Sequence, residues 1–130
     1  MSVITISRGS FSKGREIAEA VAEQMGYGCI SRGVLLKASK HFDVPELKLE
    51  RALHDAPSIL DRFSKGKERY VSYMRAAVLY QLKKDDMVYH GLAGHFFVKD
   101  VPHVMKVRVI ADFDDRVAQE MARQEVGRDE

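Results

Sequence analysis

Val3-Ile4-Thr5-Ile6-Ser7-Arg8-Gly9-Ser10-Phe11-Ser12-Lys13-Gly14-Arg15-Glu16-Ile17-Ala18 is the stretch that decides the fold. Its first four residues are a β-branched run that suits a buried strand, and Ser7-Arg8-Gly9 reads as the strand's exit into a loop. From Gly14 the pattern changes. Ile17, Val21 and Met25 recur every four residues with Ala18 and Ala22 beside them, the apolar stripe of a helix, and Gly26 stops it. Between strand and helix, Gly9 and Gly14 stand at the spacing of the GxxxxGK[ST] phosphate loop, in the strand–loop–helix context that motif requires. Glycines let such a loop curl so that its backbone N–H groups point inward. The helix N-terminus adds partial positive charge, and a basic side chain neutralises the outer phosphates. Two positions depart from the motif. Arg15 stands where the lysine belongs, and Glu16 where a hydroxyl would meet Mg²⁺. Arginine still grips phosphate, bidentately, and Lys13 adds a second cation within the loop. The same residues also fit a plainer reading, a Ser- and Gly-containing turn that starts a helix with Glu16 in its first turn.

Working outward, Tyr27 to Ile30 forms a second short strand and Gly33 to Lys40 a helix. Pro45 opens a helix that runs to about His54. Pro57 and Gly66 punctuate the next stretch, with Lys65 to Arg69 read as a solvated loop. A helix carrying Tyr70, Met74, Ala77 and Val78 follows, its tyrosines Tyr70, Tyr73 and Tyr80 read as packing residues. Met87 to Tyr89 is a strand ending at His90-Gly91. Gly91-Leu92-Ala93-Gly94 is a turn, Val104 to Ile110 a last strand, and a helix begins near Asp112. Strands alternating with helices imply βαβ units and a parallel sheet covered on both faces.

At 130 residues the chain has room for one domain with a real core. A hydrophobic content of 45% with 31% charge excludes a disordered or fibrous protein, and a net charge of +2 lacks the basic stripe of a duplex DNA binder. No nucleic-acid or membrane partner is expected. Met1 to Ser10 lacks the basic start and apolar run of a signal peptide, which makes cytoplasmic the default. Cys29, the single cysteine, excludes an internal disulfide and is expected as a buried structural thiol. His41, His54, His95 and His103 share no metal-ligand spacing.

The runs Ile4-Thr5-Ile6-Ser7-Arg8 and Gly14-Arg15-Glu16-Ile17-Ala18 resemble the opening of the cytidylate kinase-like proteins, a group that commonly carries Gly-Arg-Glu in place of Gly-Lys. Phe11 and Lys13 differ from that group, which usually has glycines there. The resemblance implies a three-layer α/β P-loop domain over residues 1–130, with the lid and last strand lying beyond Glu130. It implies phosphoryl transfer from ATP, with Mg²⁺, to CMP or a related acceptor. Residues Gly9, Ser10, Phe11, Ser12, Lys13, Gly14, Arg15 and Glu16 would cradle the donor phosphates. Arg15, Lys13 and Arg116 would serve the transferred group, with Arg123 near the lid side, while Ser31, Arg32 and Lys37 would hold the acceptor. Leu92 stands where the family usually has an arginine. His90 occupies the strand end where a Mg²⁺-holding carboxylate is expected, and reads as a surface or hydrogen-bonded histidine. Arg116 fits an ion pair with Asp112 or Asp115 equally well. The alternative class is a nucleotide- or phosphate-binding regulatory module, or a homodimerising one, that keeps the fold without the chemistry.

Overall fold

The structure, a computed structural model, describes residues 2–54, 65–91 and 93–126. The elements run β1 (Val3–Arg8), α1 (Gly14–Met25), β2 (Gly28–Ile30), α2 (Gly33–Phe42), α3 (Glu46–His54), α4 (Lys65–Leu82), β3 (Met87–His90), α5 (Gly94–Phe97), β4 (Val104–Val109) and α6 (Phe113–Val126). Pairing is parallel throughout and the strand order is β2-β3-β1-β4. β1 is therefore central. Ile4 lies opposite Val88 and Met105, and Ile6 opposite His90 and Val107.

Alternation along β1 builds two cores. Ile4 and Ile6, with Val88, face α1 and its buried Ala18 and Ala22. Val3 faces the other way, into a larger cluster where Tyr89 and Val104 meet Val34, Leu35 and Ala38 of α2, Leu49 of α3, and Met74, Val78 and Leu82 of α4. Helices on both faces of a parallel sheet make the three-layer α/β fold expected from the alternating pattern. Leu49 is fully buried, and such a side chain contributes roughly 1.5–3 kcal/mol.

Some local expectations change. Lys65 to Arg69 is the first turn of α4 and not a loop. Cys29 is exposed, because β2 is an edge strand and Gly28 and Cys29 both stand open to solvent. Tyr70 and Tyr73 do pack against the core, and Tyr73 stacks on Phe42 with ring centroids 4.1 Å apart. Tyr80 on the same helix is 68% exposed and lines a groove between α2 and α4. Pro57 and Leu92 lie outside the described residues.

The topology locates a cleft. The chain leaves β1 through α1 towards β2, on one side of the sheet order. It leaves β3 through α5 towards β4, in the opposite direction. β1 and β3 are neighbours, so their carboxyl ends flank a topological switch point, where open α/β sheets bind ligands. Asp85 and Asp86 precede β3 and stand at the far end of the sheet.

Candidate functional site

The loop after β1 holds its shape from within. The Ser12 hydroxyl, buried, donates to the Gly9 carbonyl at 2.8 Å. Phe11 and Lys13 both take the left-handed conformation at φ 57°. For side chains other than glycine this costs about 1 kcal/mol each, so the two departures from the family's glycines are stored as strain in the loop. Lys13 is the N-cap of α1 and its carbonyl accepts from the Ile17 N–H at 3.1 Å. The first N–H groups of a helix have no partner within it, and here they open towards the loop.

Gly14 is required by close approach. A Cβ at this position would sit 2.4 Å from the Arg8 Cβ and 2.8 Å from its Cδ, so the Arg8 stem crosses the start of α1. Arg8, Ser10, Phe11, Ser12, Lys13, Gly14, Arg15 and Glu16 line an open cavity of 660 Å³ that Gln119, Ala122 and Arg123 of α6 border as well. The entire expected phosphate-binding set except Gly9 thus borders one space. Gly9 supplies the carbonyl that fixes Ser12.

The cations around this space are differently committed. Arg15 donates from Nε to Glu19 Oε1 at 2.9 Å, which raises the guanidinium pKa and lowers that of the Glu19 carboxyl. Both groups are well exposed, and such a pair yields readily to a stronger anion. Arg116 makes neither of the ion pairs considered for it. Its Nε donates to the Ser10 carbonyl at 2.9 Å and ties α6 to the loop. Arg123 lies over the Phe11 ring, 5.2 Å from its centroid, and pairs with Glu120 at 3.5 Å. Phe11 therefore gives α6 a second anchor.

A second cavity, of 260 Å³, opens at the switch point between β1 and β3. It is lined by Arg8, Ser31, Arg32, Leu35, Glu50, Leu53, Met74, Tyr89 and Gly91. Ser31 and Arg32, expected to hold an acceptor, are both here. Arg32 bonds Glu46 through Nη2 at 3.2 Å and lies 3.8 Å from Glu50. Lys37 is not brought to this cavity. It donates to Gln81 at 3.1 Å and lines the groove between α2 and α4. Five positions along a helix from Arg32 turn a side chain by about 140°, which carries Lys37 to a different face.

Two residues at the carboxyl ends of the inner strands matter more than their sequence context suggests. Arg8 borders both cavities and stands at the end of the central strand. The available signal was its place as the last strand residue before the loop. His90 is neither at the surface nor satisfied: it is 3% exposed and its Nδ1 has no hydrogen-bond partner. Burial pushes the imidazole pKa down, with Arg8 pushing it further the same way. Tyr89, its neighbour on the opposite face, is pushed up to about 12 by burial.

The Mg²⁺ expected with ATP finds no protein cage here. Among the described residues no three His, Cys, Asp or Glu side chains are placed to hold a metal. The β3 end carries neutral-favouring His90, and Ser12 is committed to Gly9. Glu16 borders the loop cavity, but a lone carboxylate is not a site.

Comparison with known proteins bears on both fold and family. The profile of the cytidylate kinase-like family matches residues 3–130. An uncharacterized protein from Eubacterium ventriosum ATCC 27560, of known crystal structure, superposes with a TM-score of 0.63 at 16% identity. The match covers 96% of this chain and 63% of that one, so the present chain spans under two thirds of that relative's length. The crystal structure of TT1252 from Thermus thermophilus aligns at 17% identity and a TM-score of 0.49, over 93% of this chain and 71% of that one. No curated protein matches the sequence. Among the described residues no helix is long and apolar enough to cross a membrane.

Proposed function

Because this chain belongs to the cytidylate kinase-like family, we propose that its two cavities are a donor and an acceptor site for phosphoryl transfer from ATP to CMP or a related nucleoside monophosphate. The observation that carries the reading is the pairing of cavities at the switch point, one bordered by the phosphate loop and the other by Ser31 and Arg32. Phosphoryl transfer depends on positioning and charge neutralisation more than on covalent help.

Residues Gly9 to Glu16 receive the triphosphate. The N-terminus of α1 contributes N–H groups and dipole, while Lys13 and Arg15 contribute charge. Arg15 exchanges its exposed Glu19 partner for phosphate. Arg123 borders the cavity from α6 and Arg116 reaches the loop through Ser10; both turn from Phe11 and Ser10 towards the transferred group. Ser31 and Arg32 hold the monophosphate. Nothing in this division asks a side chain to form a covalent bond.

A phosphate-binding module without transfer is the second reading. It is favoured by one observation, the buried imidazole of His90 at the strand end where a carboxylate would serve a metal. Calorimetry with ATP and Mg²⁺, followed by an ADP-coupled assay with CMP, separates the two. The transfer reading expects ATP binding and CMP-dependent ADP release. Tight binding with no ADP release would favour the module, and no binding of any phosphate ligand would sink both.

A further inference from the structure

We infer that Arg8, and not Arg15, is the cation shared by donor and acceptor, its guanidinium holding a phosphate in each cavity at once. The inference rests on the two-cavity reading above and assigns a residue that the loop motif does not contain. Arg8 borders the loop cavity with Ser10 to Glu16, and it borders the second cavity with Ser31, Arg32, Tyr89 and Gly91. Lys13 and Arg15 reach only the first of these spaces, and Arg32 only the second.

The chemistry suits the position. A guanidinium presents five N–H donors along two edges of a rigid plane, so one edge can serve each phosphate. Bringing two phosphates together costs repulsion that a cation between them offsets. Arg8 is also uncommitted: it makes no side-chain hydrogen bond or ion pair among the described residues. Arg15, Arg32 and Arg116 are held by Glu19, by Glu46 and by the Ser10 carbonyl. Its stem is already placed, because it lies against Gly14 with no room for even a methyl group between them. Seating the stem before any ligand arrives lowers the entropy lost on binding.

The step it serves is balanced without further reactants. An oxygen of the acceptor monophosphate, already ionised, forms a bond to the γ-phosphorus of ATP. The bond from that phosphorus to the β–γ bridging oxygen breaks, and its electron pair leaves with ADP. The acceptor becomes a diphosphate. Arg8 remains in place while charge moves from one of its edges to the other.

The test is calorimetric titration of ATP and of CMP, each alone, into the wild type and the Arg8→Met, Arg8→Lys, Lys13→Met and Arg32→Met variants. Arg8→Met keeps the stem against Gly14 and removes the charge. It should weaken both ligands by about tenfold or more, the usual scale for charged hydrogen bonds. Lys13→Met should weaken ATP alone, and Arg32→Met CMP alone. Arg8→Lys keeps a point charge and loses the fork, so both affinities should fall by less; this variant also carries the test if the methionine variant does not fold. Unchanged affinity for either ligand in Arg8→Met would overturn the assignment. If Arg8→Met weakens both while the wild type makes no diphosphate, the shared cation stands and the transfer reading falls.

Discussion

Replacing Gly14 with alanine sets two effects against each other, and the structure says which is larger. Gly14 is the first residue of α1, and glycine-to-alanine in a helix ordinarily gains about 0.5–1 kcal/mol. Against this, the new Cβ would stand 2.4 Å from the Arg8 Cβ and 2.8 Å from its Cδ. The nearer contact is the decisive one. A Cβ cannot rotate away as the end of a side chain can, so relief requires the end of β1 or the start of α1 to move. At the first residue of a helix that gain lies at the low end, about 0.5 kcal/mol. Overpacking of this kind costs typically 1–3 kcal/mol, which leaves a net loss of roughly 0.5–2.5 kcal/mol. For a chain of this size that is a fall of roughly 2–10 °C in Tm. Urea denaturation of the wild type and Gly14→Ala measures the difference directly. Repeating the pair in an Arg8→Gly background, which removes the opposing Cβ, should shrink the penalty, as expected for residues in contact. An alanine variant as stable as the wild type, or a penalty unchanged when Arg8 is glycine, would refute the claim that the Arg8 stem is seated on Gly14.

The other predictions concern β3. His90 is buried with its pKa lowered by burial first and by Arg8 second, so the unfolded chain takes up its proton near pH 6.5 while the folded one resists. The unfolded state then binds more protons as pH falls, and stability should drop from about pH 6.5 downward to the depressed folded value. Urea midpoints measured between pH 8 and pH 5 should fall less steeply in His90→Gln, and parallel curves would remove His90 as the cause. Gly94→Ala would place a Cβ 2.4 Å from two ring carbons of buried Tyr89 and should lose about 1–3 kcal/mol, read as a lower urea midpoint; an unchanged midpoint would mean the ring is free to move.

Much of this fold can be read along the chain, because the signals are local. Val3 to Ile6, the four-residue recurrence of Ile17, Val21 and Met25, and the glycines at 9 and 14 each carry their meaning within a few residues. The loop cavity follows from them, since the loop and the first turn of α1 are contiguous. What could not be read depends on where separate elements meet. Arg8 is one more charged residue until β3 and the start of α2 are packed beside it and the second cavity closes around it. Lys37 is the reverse case. It lies close to Arg32 in sequence, but helix rotation carries it to the groove with Gln81. His90 departs from expectation for a third reason, since its burial follows from pairing β3 directly beside β1 with α1 across that face. Cys29 became exposed because β2 is an edge strand, a consequence of strand order that no short window contains.

On the proposed reading, the loop from Gly9 to Glu16 and the cavity holding Ser31 and Arg32 act together on two phosphates. Phosphorus NMR of ATP, Mg²⁺ and CMP incubated with the purified chain tests this most directly. The γ-phosphate signal should decline while the signals of ADP and a second nucleoside diphosphate grow in equal amounts. An ATP spectrum that stays unchanged with CMP and abundant protein present would contradict it.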